Sequence, residues 1–217
     1  MTHLREHRSI LAAAEKRLLI FIAERLPRSI KSDHLTLLAL AGMALAGAAF
    51  AAARCDPRAL WVVVIGLAVN WFGDSLDGTL ARVRHTERPR YGFYVDHVLD
   101  IAGATLLFGG LASSGFMSPI VAMALLVAYL LVAGEVFLAT VVRGVFRMSA
   151  AGIGPTELRL LLAVGAVALL HHPYVSIGPV TVRLFDFGGA TAAAGLIGAF
   201  VVSVFRNATA LAVAEPG

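Results

Sequence analysis

The chain has 217 residues, of which 59% are hydrophobic and only 15% are charged. Its mean hydropathy of +0.81 is too high for an ordinary soluble domain and indicates an integral membrane protein. The single cysteine, Cys55, excludes an intramolecular disulfide framework. The net charge of +4 is modest, and its distribution along the chain is more informative than its total.

The N-terminal segment, residues 1–31, differs from the rest because charged and apolar residues alternate in it. Over residues 10–25, apolar side chains recur at helical spacing, and Glu15, Lys16 and Arg17 interrupt them. This pattern predicts an amphipathic helix that lies at the membrane surface. The alternative is a helix that packs on a loop. We assign residues 1–31 to a juxtamembrane segment and residues 32–217 to a membrane-spanning domain.

Six apolar runs follow, and they predict an all-α fold with six transmembrane helices. A span needs about 20 residues, and the second and fifth runs reach that length only with their polar flanks. With its flanks the second run covers residues 59–84, so its polar end protrudes to the headgroup level. The runs are residues 35–53, 60–72, 95–112, 120–142, 158–170 and 187–205.

Basic residues are distributed unevenly between the two sides of this topology. Fifteen of the 18 Lys and Arg residues fall on the side of the termini, and three, Arg54, Arg58 and Arg183, fall on the other. The positive-inside rule therefore places both termini in the cytoplasm of a multi-pass protein of the cell (inner) membrane. We expect no nucleic-acid partner.

Four aspartates stand out in residues 73–100, between the second and third apolar runs. Asp74 and Asp77 are spaced i,i+3, and Asp96 and Asp100 are spaced i,i+4, so each pair projects from one helix face. A polar turn that contains Pro89 separates the pairs, which predicts antiparallel helices with the pairs facing each other. Carboxylates so placed repel one another, and a bound cation relieves this. Oxygen-only ligands favour Mg²⁺, Mn²⁺ or Ca²⁺ over zinc.

Small residues and an arginine accompany the first aspartate pair. Gly78 and Ala81 lie close to the face of Asp74, so a bulky ligand can approach the backbone there. Arg82, one turn beyond Gly78, is placed to meet a phosphate. Together these residues predict a dinuclear metal site that holds a pyrophosphate.

At these residues the chain resembles the CDP-alcohol phosphotransferases, also called CDP-alcohol phosphatidyltransferases. Their signature is D-x2-D-G-x2-A-R, then eight or nine residues, then G-x3-D-x3-D. All eight signature positions match here, with a gap of nine residues. The matching positions are Asp74, Asp77, Gly78, Ala81, Arg82, Gly92, Asp96 and Asp100.

The resemblance implies a metal-dependent enzyme of phospholipid biosynthesis that cleaves a CDP-linked alcohol and releases CMP. It implies two Mg²⁺ or Mn²⁺ ions on the four aspartates, with Asp96 and Asp100 catalytic and Asp100 the general base for the acceptor hydroxyl. It also implies a homodimer. Residues 32–217 would then be the catalytic domain. The implied CDP pocket is lined by Gly78, Ala81, Arg82 and Gly92.

The substrates stay open at this point. A compact chain of six helices suits CDP-diacylglycerol as donor, with a small polar acceptor such as glycerol phosphate, inositol phosphate or serine. The alternative within the class is CDP-choline or CDP-ethanolamine with a lipid alcohol. The alternative from another class is a divalent-cation carrier, which has no need of Gly78, Ala81 and Arg82.

Four basic residues on the aspartate side form a candidate pocket for a phosphorylated acceptor, because arginine suits a phosphate dianion. They serve equally well as anchors for anionic lipid headgroups. They are Lys31, Arg143, Arg147 and Arg159.

The roles of two further polar residues stay open at this point. His97 lies between Asp96 and Asp100, where it assists a proton transfer, orients an aspartate or points to the membrane interface. Glu135, inside the fourth apolar run, faces either the bundle interior or a dimer seam.

Overall fold

The structure is a computed structural model that describes residues 12–143 and 155–215. Within this part of the chain there are seven α-helices and one antiparallel β-hairpin, which lies between the last two helices. The elements are α1 (Ala12–Arg25), α2 (Ser32–Ala52), α3 (Ala59–Val83), α4 (Pro89–Ser113), α5 (Pro119–Arg143), α6 (Pro155–Leu169), β1 (Tyr174–Ile177), β2 (Val180–Arg183) and α7 (Leu184–Ala214).

The predicted helical membrane fold is confirmed, although one of the six predicted spans is short. Five helices, α2, α3, α4, α5 and α7, are long and apolar enough to cross a membrane. The sixth, α6, has only 15 residues. The sequence analysis did not predict the hairpin of β1 and β2 that follows α6.

The helix bounds differ from the apolar runs mainly at the polar ends. Helix α4 begins at Pro89, six residues before the apolar run, because proline lacks the N–H that the first helical turn leaves unpaired. The turn before it is tight, and His85 adopts a left-handed φ of 54° there. Helix α7 continues past Arg206 to Ala214, since Asn207 finds polar partners on α5 rather than ending the helix.

Helix α2 is the centre of the bundle, and glycines allow α3 and α4 to approach it closely. A Cβ atom on Gly42 would lie 2.5 Å from the backbone nitrogen of Asn70, and one on Gly73 would lie 2.5 Å from the carbonyl oxygen of Leu35. A Cβ on Gly110 of α4 would overlap the carbonyl oxygen of Gly47. Small residues permit this spacing in membrane helices generally.

The amphipathic helix α1 is present and packs on α3 as well as exposing apolar residues. Its Leu19 and Ala23 are buried against a cluster that contains Leu35, Leu76 and Leu80. On its other face, Leu18 and Phe21 are about half exposed, as expected for a helix at the membrane surface.

Hydrogen bonds from two side chains of the α3 region, Trp71 and Arg84, fix α1 and the linker after it. The indole Nε1 of Trp71 donates to Glu15 Oε1 at 2.8 Å. The Arg84 guanidinium donates to the carbonyl of Leu26 at 2.8 Å, and to the carbonyl of Ile30. The N-terminal segment is therefore bound to the polar end of α3.

Adjacent glycines in α4 test the packing against α2. We expect Gly110→Ala to destabilise the protein by roughly 1–3 kcal/mol, because the new methyl group overlaps backbone that cannot rotate away. Gly109→Ala is the matched control, since a Cβ there meets nothing within 4 Å in the described part of the chain. The measurement is the apparent melting temperature in detergent. Equal melting temperatures for the two variants would contradict the packing.

Candidate active site

Three carboxylates from two helices converge at the polar end of the bundle. Asp74 lies on α3, and Asp96 and Asp100 lie on α4. Each offers one oxygen, and the three oxygens lie within 4.8 Å of one another. All three residues are partly buried. The turn between Val83 and Pro89 reverses the chain, which brings the two predicted aspartate faces together.

The fourth aspartate, Asp77, is more buried and has its own hydrogen bonds. It is 9% exposed. The Thr36 hydroxyl donates to its Oδ2 at 2.7 Å, and the N–H of Gly78 donates to its Oδ1. The Ser32 hydroxyl donates to its backbone carbonyl at 2.7 Å. The structure therefore groups three of the four predicted ligands, while Thr36 holds the carboxylate of Asp77.

Ser32 and Thr36 were not among the predicted site residues. They are spaced i,i+4 in the first turns of α2, and this spacing puts both hydroxyls on the face toward α3. Only the packing of α2 on α3 shows which aspartate they meet. They are positioning residues for Asp77.

Arg159 of α6 is the predicted acceptor residue that reaches the carboxylates. Its Nη2 donates to Asp74 Oδ2 at 2.6 Å, and the two side chains are only 15% and 22% exposed. Tyr129 of α5 lies near enough to Asp100 and Arg159 to interact with both electrostatically. Tyr129 was also missed, because a single tyrosine in an apolar run carries no motif.

Two of the other predicted acceptor residues, Lys31 and Arg143, are described by the structure. Lys31 is exposed at the start of α2. The Arg143 guanidinium donates to Asn207 of α7. Arg147 lies outside the described residues.

Glu135 joins α5 to α7 inside the bundle. Its Oε2 accepts from the Ser203 hydroxyl at 2.8 Å, and its Oε1 accepts from the Asn207 amide at 2.5 Å. Asn207 Oδ1 also accepts a hydrogen bond from the Arg143 guanidinium. This network places Glu135 between α5 and α7, and it directs Arg143 toward α7.

The predicted CDP-pocket residues are exposed or partly buried. A Cβ atom on Gly78 would meet only the guanidinium of Arg82, at 3.4 Å, among the described residues. Arg82 is exposed, and its Nη2 donates to the Thr79 hydroxyl at 3.1 Å. Ala81 is partly buried, and Gly92 is exposed. Gly78 is therefore not required for helix packing, unlike Gly73 one turn earlier.

His97 packs among aromatic rings. Its ring lies 4.2 Å from the ring of Phe93 and 5.0 Å from that of Phe137, and its Nδ1 lies 2.6 Å from the Phe93 carbonyl oxygen. The residue is 8% exposed. These contacts join α4 to α5, and a part in proton transfer stays a prediction.

The donor set fits a hard divalent cation. Mg²⁺ and Ca²⁺ bind oxygen at about 2.0–2.6 Å, so ligands on opposite sides of one ion lie roughly 4–5 Å apart. The three carboxylate oxygens lie within that range. Arg159 supplies one positive charge to the cluster, which leaves most of the negative charge of four aspartates to be balanced.

Comparisons with known proteins identify the family and a similar fold. The family model described as CDP-alcohol phosphatidyltransferase matches residues 31–210. The fold is similar to that of the crystal structure of the phosphatidylinositol phosphate synthase PgsA1 of Mycobacterium tuberculosis with CDP-DAG bound. The TM-score is 0.52 at 22% identity, over 90% of this chain and 92% of that one. A search of curated proteins gave no significant match.

Removal of single carboxylates tests the metal site. We expect Asp74→Asn and Asp100→Asn each to weaken Mn²⁺ binding by at least about tenfold, which is about 1.4 kcal/mol. The reason is that each residue offers one oxygen to the group. Asp33→Asn is the control, because Asp33 pairs with Arg88 at the surface. Calorimetric titration of the purified protein measures the affinity, and equal affinities in all three variants would exclude this cluster as the site.

Proposed function

This chain belongs to the CDP-alcohol phosphatidyltransferase family, and on that premise we propose that it transfers a phosphatidyl group from CDP-diacylglycerol to a small polar alcohol. Membership in the family makes the chain a membrane transferase of phospholipid synthesis that uses a CDP-alcohol. The observation that supports a reaction site at this end of the bundle is the group of Asp74, Asp96 and Asp100. Gly78, on the same helix as Asp74, leaves open space beside its backbone.

We assign two divalent ions, Mg²⁺ or Mn²⁺, to Asp74, Asp77, Asp96 and Asp100. When bound there, such ions polarise the pyrophosphate of the donor and offset the charge that develops on the departing CMP. Thr36 and Ser32 hold Asp77 in place through hydrogen bonds to its carboxylate and its backbone carbonyl.

The donor pocket is assigned to Gly78, Ala81, Arg82 and Gly92. The open space at Gly78 admits the nucleotide close to the α3 backbone, which a larger side chain would prevent. The Arg82 guanidinium, which borders that space, supplies a fork of N–H donors for a phosphate. Gly92, at the start of α4, is exposed on the polar side of the bundle.

Proton transfer is assigned to Asp100, with Asp96 beside it. The acceptor hydroxyl gives its proton to the Asp100 carboxylate, and its oxygen forms a bond to the phosphorus that carries the diacylglycerol. The bond from that phosphorus to the bridging oxygen of the pyrophosphate breaks, and CMP leaves with the electron pair. A carboxylate serves as general base when it lies within hydrogen-bond reach of the hydroxyl.

Arg159 is the residue that we assign to the acceptor. Its guanidinium reaches Asp74, so an anionic group that it binds lies close to the carboxylates. Arg143 is bound to Asn207, and Lys31 is exposed at the start of α2. We therefore propose a phosphorylated acceptor held mainly by Arg159, with Lys31, Arg143 and Arg147 as further basic residues on this side.

We further propose that the aspartate end faces the cytoplasm of the cell (inner) membrane and that the protein is a homodimer. The distribution of Lys and Arg supports the orientation. The juxtamembrane segment, residues 1–31, then lies on the cytoplasmic surface, and residues 32–217 form the catalytic domain.

The reaction is tested by measuring CMP release from CDP-diacylglycerol by the purified protein with Mg²⁺ or Mn²⁺. Glycerol phosphate, inositol phosphate and serine form the acceptor panel, and CDP-choline with diacylglycerol is the competing pair. We expect release with CDP-diacylglycerol and a phosphorylated acceptor, and none from Asp100→Asn. Release only with CDP-choline and diacylglycerol would contradict the substrates, and Mn²⁺ uptake into vesicles without CMP release would contradict the reaction.

The donor pocket is tested by Gly78→Leu. We expect this variant to lose CMP binding at least about tenfold, since the leucine fills the space that the nucleotide needs, while Mn²⁺ binding is retained. Gly109→Leu is the control, because a Cβ on Gly109 meets nothing within 4 Å among the described residues. Gly109 also lies near the end of α4 that is remote from Asp96. CMP titration decides the outcome, and wild-type affinity in Gly78→Leu would place the pocket elsewhere.

The acceptor assignment is tested by Arg159→Ala. We expect the KM for the acceptor to rise at least about tenfold, because a guanidinium–phosphate contact is lost, with little change in the KM for the donor. Arg54→Ala is the control, because Arg54 is exposed just after α2, at the end of the bundle remote from the aspartates. Equal KM values for wild type and Arg159→Ala would leave Arg159 with no part in acceptor binding.

A further inference from the structure

The β-hairpin between α6 and α7 has one aliphatic face and one polar face. Its strands pair in the register Tyr174–Arg183, Val175–Val182, Ser176–Thr181 and Ile177–Val180. Side chains of paired residues share a face, and faces alternate along each strand. One face therefore consists of Val175, Ile177, Val180 and Val182. The other consists of Tyr174, Ser176, Thr181 and Arg183.

The base of the hairpin lies level with the helix ends that are remote from the aspartates. The N–H of Leu184 donates to the carbonyl of Pro173 at 2.9 Å, which closes the base. The next residue, Phe185, packs edge-to-face on Phe50 in the last turns of α2, with 6.0 Å between ring centroids. Asp186 Oδ1 accepts from the N–H of Ser118, just before α5.

The length of α6 keeps the hairpin close to the hydrocarbon region. Fifteen residues rise about 22 Å, whereas the hydrocarbon core is about 30 Å thick. The chain that leaves α6 at Leu169 therefore has no spare length to carry the hairpin far into water. The ladder pairs the inward backbone groups of the two strands, and their outward edges require the headgroup level, where water can pair them, rather than the hydrocarbon core.

The half of the aliphatic face nearest the turn is exposed, whereas Val175 and Val182 near the base are partly buried. Ile177 is 45% exposed and Val180 is 56% exposed. A lone two-stranded hairpin is only marginally stable in water, so an apolar medium has to cover this face. The surface adjoining the hairpin belongs to α7, whose Phe187 is 49% exposed on a helix that crosses the membrane.

We propose that the hairpin lies flat on the bilayer surface at the end of the bundle remote from the aspartates, with its aliphatic face among the acyl chains. Tyr174 and Arg183 lie on the opposite face, toward headgroups and water. Tyrosine is typical of that depth.

The test compares two adjacent positions on β2 that face opposite ways. Cys55 is exposed and is the single cysteine, so Cys55→Ser gives a cysteine-free background. Val180→Cys and Thr181→Cys are introduced separately and labelled with an environment-sensitive fluorophore. The full-length protein is reconstituted into phosphatidylcholine–phosphatidylglycerol vesicles, with nitroxide-bearing lipid or aqueous iodide as quencher.

We expect nitroxide lipid to quench the label at position 180 several-fold more than the label at position 181, and iodide to show the reverse order. Equal access of iodide to both labels would mean that the hairpin stands in water, and it would overturn the proposal. Shielding of position 180 from both quenchers would also overturn it, because protein rather than lipid would then cover the face.

Discussion

Mutual repulsion among carboxylates is the constraint that the rest of this structure has to satisfy. Asp74, Asp96 and Asp100 come from two helices and place oxygens within 4.8 Å of one another. At an effective dielectric constant near 20, two unit charges at that distance repel by roughly 3–4 kcal/mol. A bundle that gathers such groups at the end of an apolar core needs positive charge there. Arg159 supplies one such charge, and a divalent cation is the natural source of the remainder.

Helix α2 contributes to the site by orienting the fourth aspartate, Asp77. Glycine contacts at Gly42 and Gly73 bring its backbone against α3, and this close approach places the Thr36 hydroxyl on Asp77. Packing and chemistry are therefore coupled through one helix pair. A change that separates α2 from α3 removes the hydrogen bonds that orient Asp77, although it touches none of the carboxylates.

Much of the fold and the identity of the site followed from the sequence, because both depend on local patterns. Long apolar runs gave the membrane helices, and the spacing of the four aspartates predicted two facing pairs, of which the structure groups three carboxylates. The contacts of Arg159 with Asp74 and of Thr36 with Asp77 join residues 85 and 41 positions apart. No pattern within one helix specifies such contacts. They arise from the way in which α6 and α2 pack on α3.

The hairpin shows a different limit of sequence analysis. The alternation over Tyr174–Ile177 and Val180–Arg183 is only four residues long on each strand, and it lies between two helices whose apolar signal is much stronger. The bounds of α4 and α7 were wrong for a related reason. Pro89 was assigned to a turn but begins a helix, and Asn207 lies beyond the last apolar run but binds Glu135 from within α7.

The central claim is that all four aspartates act together on two divalent ions, although the structure groups only three of their carboxylates. Electron paramagnetic resonance of Mn²⁺ bound to the purified protein tests it most directly, because two neighbouring ions broaden each other's spectra. The account predicts two magnetically coupled Mn²⁺ ions per protomer, and one uncoupled ion in Asp77→Asn. A single ion in the wild-type protein, or an unchanged spectrum in Asp77→Asn, would contradict it.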